Sequence, residues 1–269
     1  MLDIANTCYQ VVGRHTSENS KLMGCSCVGA LSENASSGPL ITSSGWNSQF
    51  YLWDARQSSN AAAATVQLPG KAFSMDVDPS NSNRVVVATA GRRTCVIDIR
   101  NASKNNSDPS WEAALALDRE SSLKYQTRTV RFFPDGNGIA LGSIEGRVAV
   151  EFLEELSLPA KMKKYAFKCH RQNDTVYPVN CIEFHPQYGT FATGGCDGTV
   201  VTWDGLNKKK LTTLPQFATS IASLAFNHDG SELAIATSYT FEEGEREHPR
   251  DEIFVRPILD AEVQPKNVS

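Results

Sequence analysis

Two histidines in this sequence precede a tryptophan at similar distances, with an aspartate or an asparagine between them. His170 lies 33 residues before Trp203, and Asp197 lies six residues before it. The same order recurs upstream in His15, Asn47 and Trp53, at distances of 38 and six residues. A histidine beside a carboxylate could act as a general base, but a buried hydrogen-bonded cluster is the ordinary reason for such residues in a repeated unit. We therefore predict a structural role for both sets and no catalytic residue.

Four other residues lie at strand starts and turns, where a side chain is free to bind a partner. They are Trp46, Arg128, Arg147 and Arg171. A guanidinium pairs bidentately with carboxylates and phosphates, and equivalent turns of three successive repeats would bring these side chains to one rim. Such a rim suits a peptide that carries carboxylates or a phosphate. Separate surface salt bridges and an exposed indole are the alternative.

Motifs for catalysis, metals and cofactors are missing from the sequence. It has no phosphate-binding glycine loop, no G-x-S-x-G and no H-E-x-x-H. The acidic residues Glu242, Glu243, Glu245 and Glu247 lack the fixed spacing of a calcium loop, so a solvated loop is the better interpretation. We predict neither an enzyme nor a bound metal or cofactor.

The composition narrows the class of partner. The 269 residues include 26 Lys and Arg against 30 Asp and Glu, a net charge of -4, which argues against binding to nucleic acid through its phosphates. Apolar runs are only a few residues long, far below the ~20 of a membrane helix. The seven cysteines form no C-x-x-C pair, and we expect reduced thiols.

The elements that position these residues are short strands in a repeated order. The clearest unit runs from Val179 to Asp204. It reads as three strands, with Asp197-Gly198 as the hairpin before the last strand and a Trp-Asp pair at its end. The corresponding ends of the repeats lie at Asp54, Asp98, Glu151, Asp204 and Val255, which are 44 to 53 residues apart. Such a period is typical of propeller blades of about 40–45 residues with longer connections.

We therefore predict an all-β fold, a β-propeller of five blades over residues 1–256. A stub strand at Met1–Ala5 precedes the first complete repeat, and residues 257–269 form a short C-terminal tail. Each four-stranded blade cannot bury both faces alone, so radial packing of neighbouring blades supplies the core.

Several runs resemble a known family. They are Ser122-Leu-Lys-Tyr-Gln-Thr-Arg128, Ile144-Glu-Gly-Arg147, Lys164-Tyr-Ala-Phe-Lys-Cys-His-Arg171 and Thr219-Ser-Ile-Ala-Ser-Leu-Ala-Phe226. They are similar to the WD-repeat mitotic checkpoint proteins of the third Bub (budding uninhibited by benzimidazoles) family. The similarity is dense over residues 119–266 and looser before them. WD-repeat mRNA-export factors share two of these runs and are the alternative.

The resemblance implies a non-enzymatic adaptor of the spindle assembly checkpoint, found in the nucleus, at kinetochores in mitosis and in the cytoplasm. Members of the family bind the GLEBS motif, a short peptide of the checkpoint kinase and its pseudokinase relative. They dock these proteins on phosphorylated Met-Glu-Leu-Thr repeats of the kinetochore scaffold. By resemblance, Arg128 and Arg171 pair with acidic residues of the GLEBS peptide, and Trp46 and Arg147 receive the phosphorylated repeat. Binding of ubiquitin or of a membrane is not implied.

The beginning of the chain departs from the family pattern. The family propeller has seven blades, whereas this sequence begins within the part that matches the second blade. A first-blade tryptophan that contacts the GLEBS peptide has no counterpart here. A ring without nearly two blades would expose two sheet edges, so we expect a misplaced start codon or a fragment rather than a genuine five-bladed protein.

Overall fold

A computed structural model describes residues 12–16, 21–31, 40–57, 61–102, 114–153 and 164–266. Within these ranges the chain forms 21 strands and two short α-helices, and the prediction of an all-β propeller is confirmed. The stub strand expected at Met1–Ala5 lies outside the described residues. None of the helices in the described ranges is long and apolar enough to cross a membrane.

The strands form five antiparallel sheets in sequence order, and we call these sheets blades 1 to 5. Blade 1 contains β1 (Cys25–Ala30), β2 (Leu40–Gly45), β3 (Gln49–Asp54) and β4 (Ala64–Gln67). Blade 2 contains β5 (Ala72–Val77), β6 (Arg84–Thr89), β7 (Arg93–Asp98) and β8 (Leu115–Glu120), with α1 (Ile99–Ala102) after β7. Blade 3 contains β9 (Thr127–Phe132), β10 (Gly138–Ser143), β11 (Arg147–Phe152) and β12 (Tyr165–Lys168).

A small hairpin separates blade 3 from the last two blades. It pairs β13 (Arg171–Gln172) with β14 (Thr175–Val176). Blade 4 contains β15 (Val179–Phe184), β16 (Phe191–Gly195), β17 (Val200–Asp204) and β18 (Lys209–Thr213). Blade 5 contains β19 (Ile221–Phe226), β20 (Glu232–Thr237) and β21 (Glu252–Pro257), and α2 (Asp260–Val263) follows it.

The blades pack radially through their first strands. The strands β1, β5, β9, β15 and β19 contact one another in that order, so they form the inner side of the propeller. Apolar residues fill the space between the sheets. Phe50 and Val66 of blade 1 pack in one buried cluster with Val85 and Ile97 of blade 2. This packing buries the sheet faces that a single blade would leave exposed.

Every first strand has a β-bulge at its second residue, seen as a register shift against the second strand of the same blade. The bulged residues are Ser26, Phe73, Arg128, Asn180 and Ala222. A bulge leaves one residue unpaired in the ladder and re-aims its side chain. The five bulges therefore present five equivalent side chains on the inner side of the propeller.

The chain after blade 5 folds back onto blade 4. Val263 of α2 is buried, and its carbonyl oxygen accepts a hydrogen bond of 2.6 Å from the Thr190 hydroxyl. The Thr202 hydroxyl donates over 2.6 Å to the carbonyl oxygen of Glu262. Part of the segment that the sequence suggests as a tail thus packs against blade 4.

Candidate functional site

One face of the propeller carries the four predicted binding residues. In an antiparallel blade, the starts of the first and third strands and the ends of the second and fourth strands lie at one edge. We call this edge of the five blades the upper face. Trp46 lies in the turn after β2, Arg128 near the start of β9, Arg147 at the start of β11, and Arg171 just after β12.

Two of the arginines gather around Glu145, in the turn between β10 and β11. The Nε atom of Arg147 lies 3.4 Å from the Glu145 carboxylate. An Nη2–H of Arg171 donates over 2.9 Å to the Glu145 carbonyl oxygen. This bond does not use the other N–H groups of the exposed guanidinium. Glu145 was not among the predicted binding residues, although the run Glu-Gly-Arg at a hairpin is a usable signal for it.

Gly146 fixes this turn. Its φ of 60° lies in the left-handed region, which favours glycine. A Cβ at this position would lie 2.8 Å from the carbonyl oxygen of Cys169 and 2.9 Å from that of Tyr177. The turn with Arg147 is therefore held tightly against the segment that carries Arg171.

Arg128 is the bulged residue of β9. Its side chain is half-buried, and within the described ranges its guanidinium has no hydrogen-bond or ion-pair partner. A charged group in this setting gains from a partner that brings a carboxylate. Among the predicted binding residues, Arg128 is thus the arginine whose guanidinium forms no such bond to the described part of the chain.

The expectation that the four side chains come from equivalent turns of three successive blades is wrong. Arg128 and Arg147 belong to the same blade, and Arg171 follows its last strand. The first and third strands of one antiparallel blade start at the same edge. Blade 3 alone therefore supplies two arginines that the sequence pattern assigned to different blades. Trp46 shares the upper face but lies in blade 1, with blade 2 between it and the arginines. Its indole is 52% exposed.

The cluster around His170 is buried and hydrogen-bonded. Nδ1 of His170 lies 2.9 Å from the Asp197 carboxylate, and Nε2 lies 2.8 Å from the Thr193 hydroxyl. The carboxylate only accepts, so Nδ1 carries a proton and donates it to Asp197. The Nε1–H of Trp203 donates to the same hydroxyl over 2.9 Å. The side chains of His170 and Asp197 are 0% and 4% exposed, which closes this pair to a substrate.

Blade 1 contains a neutral version of the same cluster. His15 Nε2 lies 2.8 Å from the Ser43 hydroxyl, to which the Trp53 Nε1–H also donates over 2.8 Å. The side-chain oxygen of Asn47 takes the place of the aspartate, 3.2 Å from His15 Nδ1. Sequence spacing indicated the histidines, Trp53, Trp203 and Asp197. The hydroxyls of Ser43 and Thr193 were missed, because a lone Ser or Thr in a strand carries no distinctive pattern.

The His170 cluster also supports the upper face. His170 is the residue before Arg171, and its carbonyl oxygen accepts a hydrogen bond of 3.0 Å from the Tyr177 backbone N–H across the small hairpin. Burial raises the pKa of Asp197, but the hydrogen bonds from His170 and Thr199 outweigh that effect and hold the pKa below its usual value. An ionised Asp197 therefore anchors the base of the hairpin that presents Arg171.

All four glutamates of the acidic loop beyond β20 are exposed, as expected of a solvated connection. The carboxylate of Glu242 accepts hydrogen bonds from the hydroxyls of Ser220 and Thr240. These bonds outweigh burial and lower the pKa of Glu242. The described ranges bring together no group of three or more His, Cys, Asp or Glu side chains that could hold a metal ion.

Comparison with known proteins identifies the repeat. Residues 162–204 match the family described as WD domain, G-beta repeat, and this range covers the end of blade 3 and most of blade 4. The fold is a WD-repeat β-propeller. The Trp-Asp pair that ends the repeat is Trp203-Asp204 at the end of β17.

Relatives of this WD-repeat chain include checkpoint proteins. It is 49% identical over 223 residues to the mitotic checkpoint protein bub3 of Dictyostelium discoideum, an alignment covering 81% of this chain and 63% of the relative. It is 50% identical over 236 residues to the mitotic checkpoint protein BUB3.1 of Arabidopsis thaliana, covering 85% and 65%. A poly(A)+ RNA export protein of Schizosaccharomyces pombe is 36% identical over 236 residues, covering 85% and 62%. The chain thus spans less than two thirds of the length of these relatives.

Proposed function

We propose that this protein is a non-enzymatic adaptor of the mitotic spindle checkpoint, whose upper face binds a short acidic peptide. Its proposed partners are the GLEBS motifs of the checkpoint kinase and its pseudokinase relative, together with phosphorylated Met-Glu-Leu-Thr repeats of the kinetochore scaffold. The proposed location is the nucleus, the kinetochore in mitosis and the cytoplasm. The similarity to checkpoint proteins of two organisms supports this proposal.

The observation that carries the proposal is the pair Arg128 and Arg171 at one edge of blade 3. Arg171 is exposed, and one of its N–H groups is held by the Glu145 carbonyl oxygen. Arg128 is half-buried without an ionic partner among the described residues. An anchored guanidinium loses less side-chain entropy when it binds a carboxylate. Arg171 is thus preorganised for an acidic peptide, and Arg128 offers a second guanidinium at the same edge of the blade.

Peptide titration tests the role of these arginines. We expect Arg128→Ala and Arg171→Ala each to weaken binding of a GLEBS peptide by about 2–5 kcal/mol, because truncation leaves a desolvated carboxylate of the peptide without its partner. Isothermal titration calorimetry measures the change. Arg56→Ala is the matched control, since Arg56 pairs with Asp54 at the opposite edge of blade 1. Unchanged peptide affinity in both Arg128→Ala and Arg171→Ala would contradict the proposal.

A second experiment tests the proposed phosphate contact of Arg147. This guanidinium already faces the Glu145 carboxylate at 3.4 Å, and a dianionic phosphate competes for it through charge-assisted hydrogen bonds. We expect Arg147→Ala to reduce binding of a phosphorylated Met-Glu-Leu-Thr peptide more than binding of its unphosphorylated form, as measured by fluorescence anisotropy. We expect Trp46→Ala to weaken both forms. Equal losses for both peptides in Arg147→Ala would contradict a role in phosphate recognition.

An adaptor for mRNA export is the second candidate, favoured by the similarity to the RNA export protein. It requires binding to nucleic acid or to a partner in that process. Direct RNA binding predicts an affinity that falls steeply with salt, because cation release accompanies each phosphate contact. The net charge of -4 opposes it. Measurable single-stranded RNA binding at low salt, with loss of the GLEBS interaction, would favour this candidate.

A further inference from the structure

A pocket with aromatic walls lies on the outer flank of the propeller, between blades 3 and 4. Its walls are Tyr165 and Phe167 of β12 and Trp203 at the end of β17. The ring centroids of Phe167 and Trp203 are 4.6 Å apart, and those of Tyr165 and Phe167 are 6.2 Å apart. All three side chains are half-buried, so the rings pack together and still face solvent. We call this space of about 170 Å³ the flank pocket; it has room for one large side chain.

The floor of the flank pocket is the turn between β17 and β18, at the edge opposite the upper face. The Tyr165 hydroxyl donates to the carbonyl oxygen of Gly205 in this turn, which ties blade 3 to blade 4. The buried carboxylate of Asp204 accepts the backbone N–H of Asn207 over 2.9 Å and its side-chain amide over 2.7 Å. Both oxygens of this lining carboxylate are therefore used within the turn, and the shape of the pocket is set before any partner binds.

Three exposed lysines line the same pocket: Lys168, Lys208 and Lys209. The Nζ atom of Lys208 lies 4.7 Å from the centroid of the Tyr165 ring, which is the distance of a cation–π contact. Within the described ranges, none of the three ammonium groups has a salt bridge or hydrogen bond. In a chain with a net charge of -4, the flank pocket is thus a local concentration of positive charge around an aromatic hollow.

We propose that the flank pocket is a docking site for an acidic peptide, which inserts one large apolar side chain between the aromatic walls and places carboxylates against the lysines. Charge complementarity selects an acidic partner, and aromatic walls favour an apolar group at the centre of the contact. RNA fits less well, because bases stack on open ring faces along a basic track and Lys208 already covers Tyr165. The site goes beyond the proposed function, since it lets the protein hold a second partner away from the upper face.

Two substitutions remove positive charge from the flank pocket and spare the fold. Lys208 has a φ of 56°, a conformation that asparagine adopts more readily than lysine, so Lys208→Asn should keep the melting temperature of the wild type or raise it. Lys209→Gln changes an exposed side chain at the start of β18. Lys71→Gln is the matched control, because Lys71 is exposed and precedes β5 in blade 2.

The probes are capped peptides of sequence Asp-Glu-Asp-X-Asp-Glu-Asp, in which X is phenylalanine, leucine or serine. Two-dimensional NMR follows the Nε1–H signal of Trp203, with that of Trp53 in blade 1 as an internal control, since both groups donate to a strand hydroxyl. We expect the phenylalanine or leucine peptide to shift the Trp203 signal and to bind about tenfold or more tightly than the serine peptide, which buries no large apolar group. Combining Lys208→Asn with Lys209→Gln should weaken binding about fivefold to tenfold, whereas Lys71→Gln should not.

The upper-face variants distinguish this site from the proposed GLEBS site. Arg128→Ala and Arg171→Ala should leave the shift of the Trp203 signal unchanged, even where they abolish binding of the GLEBS peptide. Loss of binding in these variants but not in the lysine variant would place the acidic peptide on the upper face and overturn this inference alone. Equal affinity for the phenylalanine, leucine and serine peptides would show that no side chain is inserted. A shift of the Trp203 signal by oligouridylate and by none of the peptides would identify an RNA site instead, and either result would overturn the inference.

Discussion

At the scale of single residues, the two histidine clusters are versions of one network with different charge. The side-chain oxygen of Asp197 accepts a hydrogen bond from His170 in blade 4, and that of Asn47 accepts one from His15 in blade 1. Both acceptors satisfy a buried Nδ1–H, so an ionised group is not required for the geometry. The difference is that the aspartate makes its blade sensitive to acid.

Asp197→Asn should remove this acid sensitivity. The pKa of Asp197 is depressed in the fold, so its contribution to stability is present above the unfolded value of about 3.9 and is lost as the pH falls through the folded value. We expect the variant and the wild type to differ at pH 7 and to converge as the pH drops below about 4. Urea unfolding at several pH values measures this, and parallel stability profiles would contradict it.

At the scale of elements, the turn between β10 and β11 sets the position of the upper-face arginines. Gly146 has a positive φ, and backbone carbonyl oxygens occupy the space that a Cβ would need. Gly189, in the turn after β15, has a φ of 65°, and no atom of the described residues lies within 4 Å of the position that a Cβ would take. Substituting alanine at each of the two glycines therefore separates two contributions to the loss of stability: the unfavourable backbone conformation, which both sites share, and the steric clash, which only Gly146 has.

Gly146→Ala should destabilise the protein more than Gly189→Ala does. The left-handed conformation costs roughly 1–2 kcal/mol for alanine at either site, and Gly146→Ala adds a clash that pushes Glu145 and Arg147 away from the Arg171 hairpin. Chemical unfolding and GLEBS-peptide titration of both variants measure the effect. Equal destabilisation with equal peptide affinity would show that the turn does not position the site.

The sequence predicts the blades well and their mutual contacts poorly. Asp-Gly turns and alternating apolar residues mark the strands of blade 4, because these signals are local. The bulge at Arg128 has no local signal, since it is defined by the register against β10. The packing of Val263 onto blade 4 is likewise invisible, because it joins segments about 70 residues apart. The contact between Arg171 and Glu145 is of the same kind, because it joins residues 26 positions apart.

At the scale of the whole molecule, Arg131 ties three blades together on the inner side. From β9, its Nε–H donates over 3.1 Å to the carbonyl oxygen of Ile182 in β15. The same guanidinium lies 3.2 Å from Asp76 in β5 and 3.3 Å from Glu183 in β15. Burial raises the pKa of both carboxyl groups, although the charge of Arg131 opposes the shift. The guanidinium thus compensates two carboxylates that would otherwise repel.

Arg131→Met should therefore destabilise the protein more at neutral than at acidic pH. A raised carboxyl pKa gives stability that is present below the unfolded pKa and is lost as the pH rises through the folded pKa. Without the guanidinium these pKa values rise further. We expect a loss of about 1–3 kcal/mol at pH 7, below the range for fully buried pairs because the side chains are partly exposed.

Urea unfolding of Arg131→Met at pH 7 and near pH 4 measures this difference. Arg131→Lys retains the charge but not the planar set of N–H donors. Its free energy of unfolding should therefore lie between those of Arg131→Met and the wild type. An equal loss of stability at both pH values would show that packing, not charge, explains the role of Arg131.

The inner bulges also bear on how a propeller of this kind can diversify. The bulged residue is left out of the pairing ladder, so its side chain can change while the register of its strand is kept. The same structural position already holds Ser26, Phe73, Arg128, Asn180 and Ala222 in successive blades. Ser26 and Asn180 use this position to hydrogen-bond to the next blade. A combinatorial library that varies Phe73, Arg128 and Ala222 would therefore change the chemistry of the upper face while these two inter-blade bonds are kept.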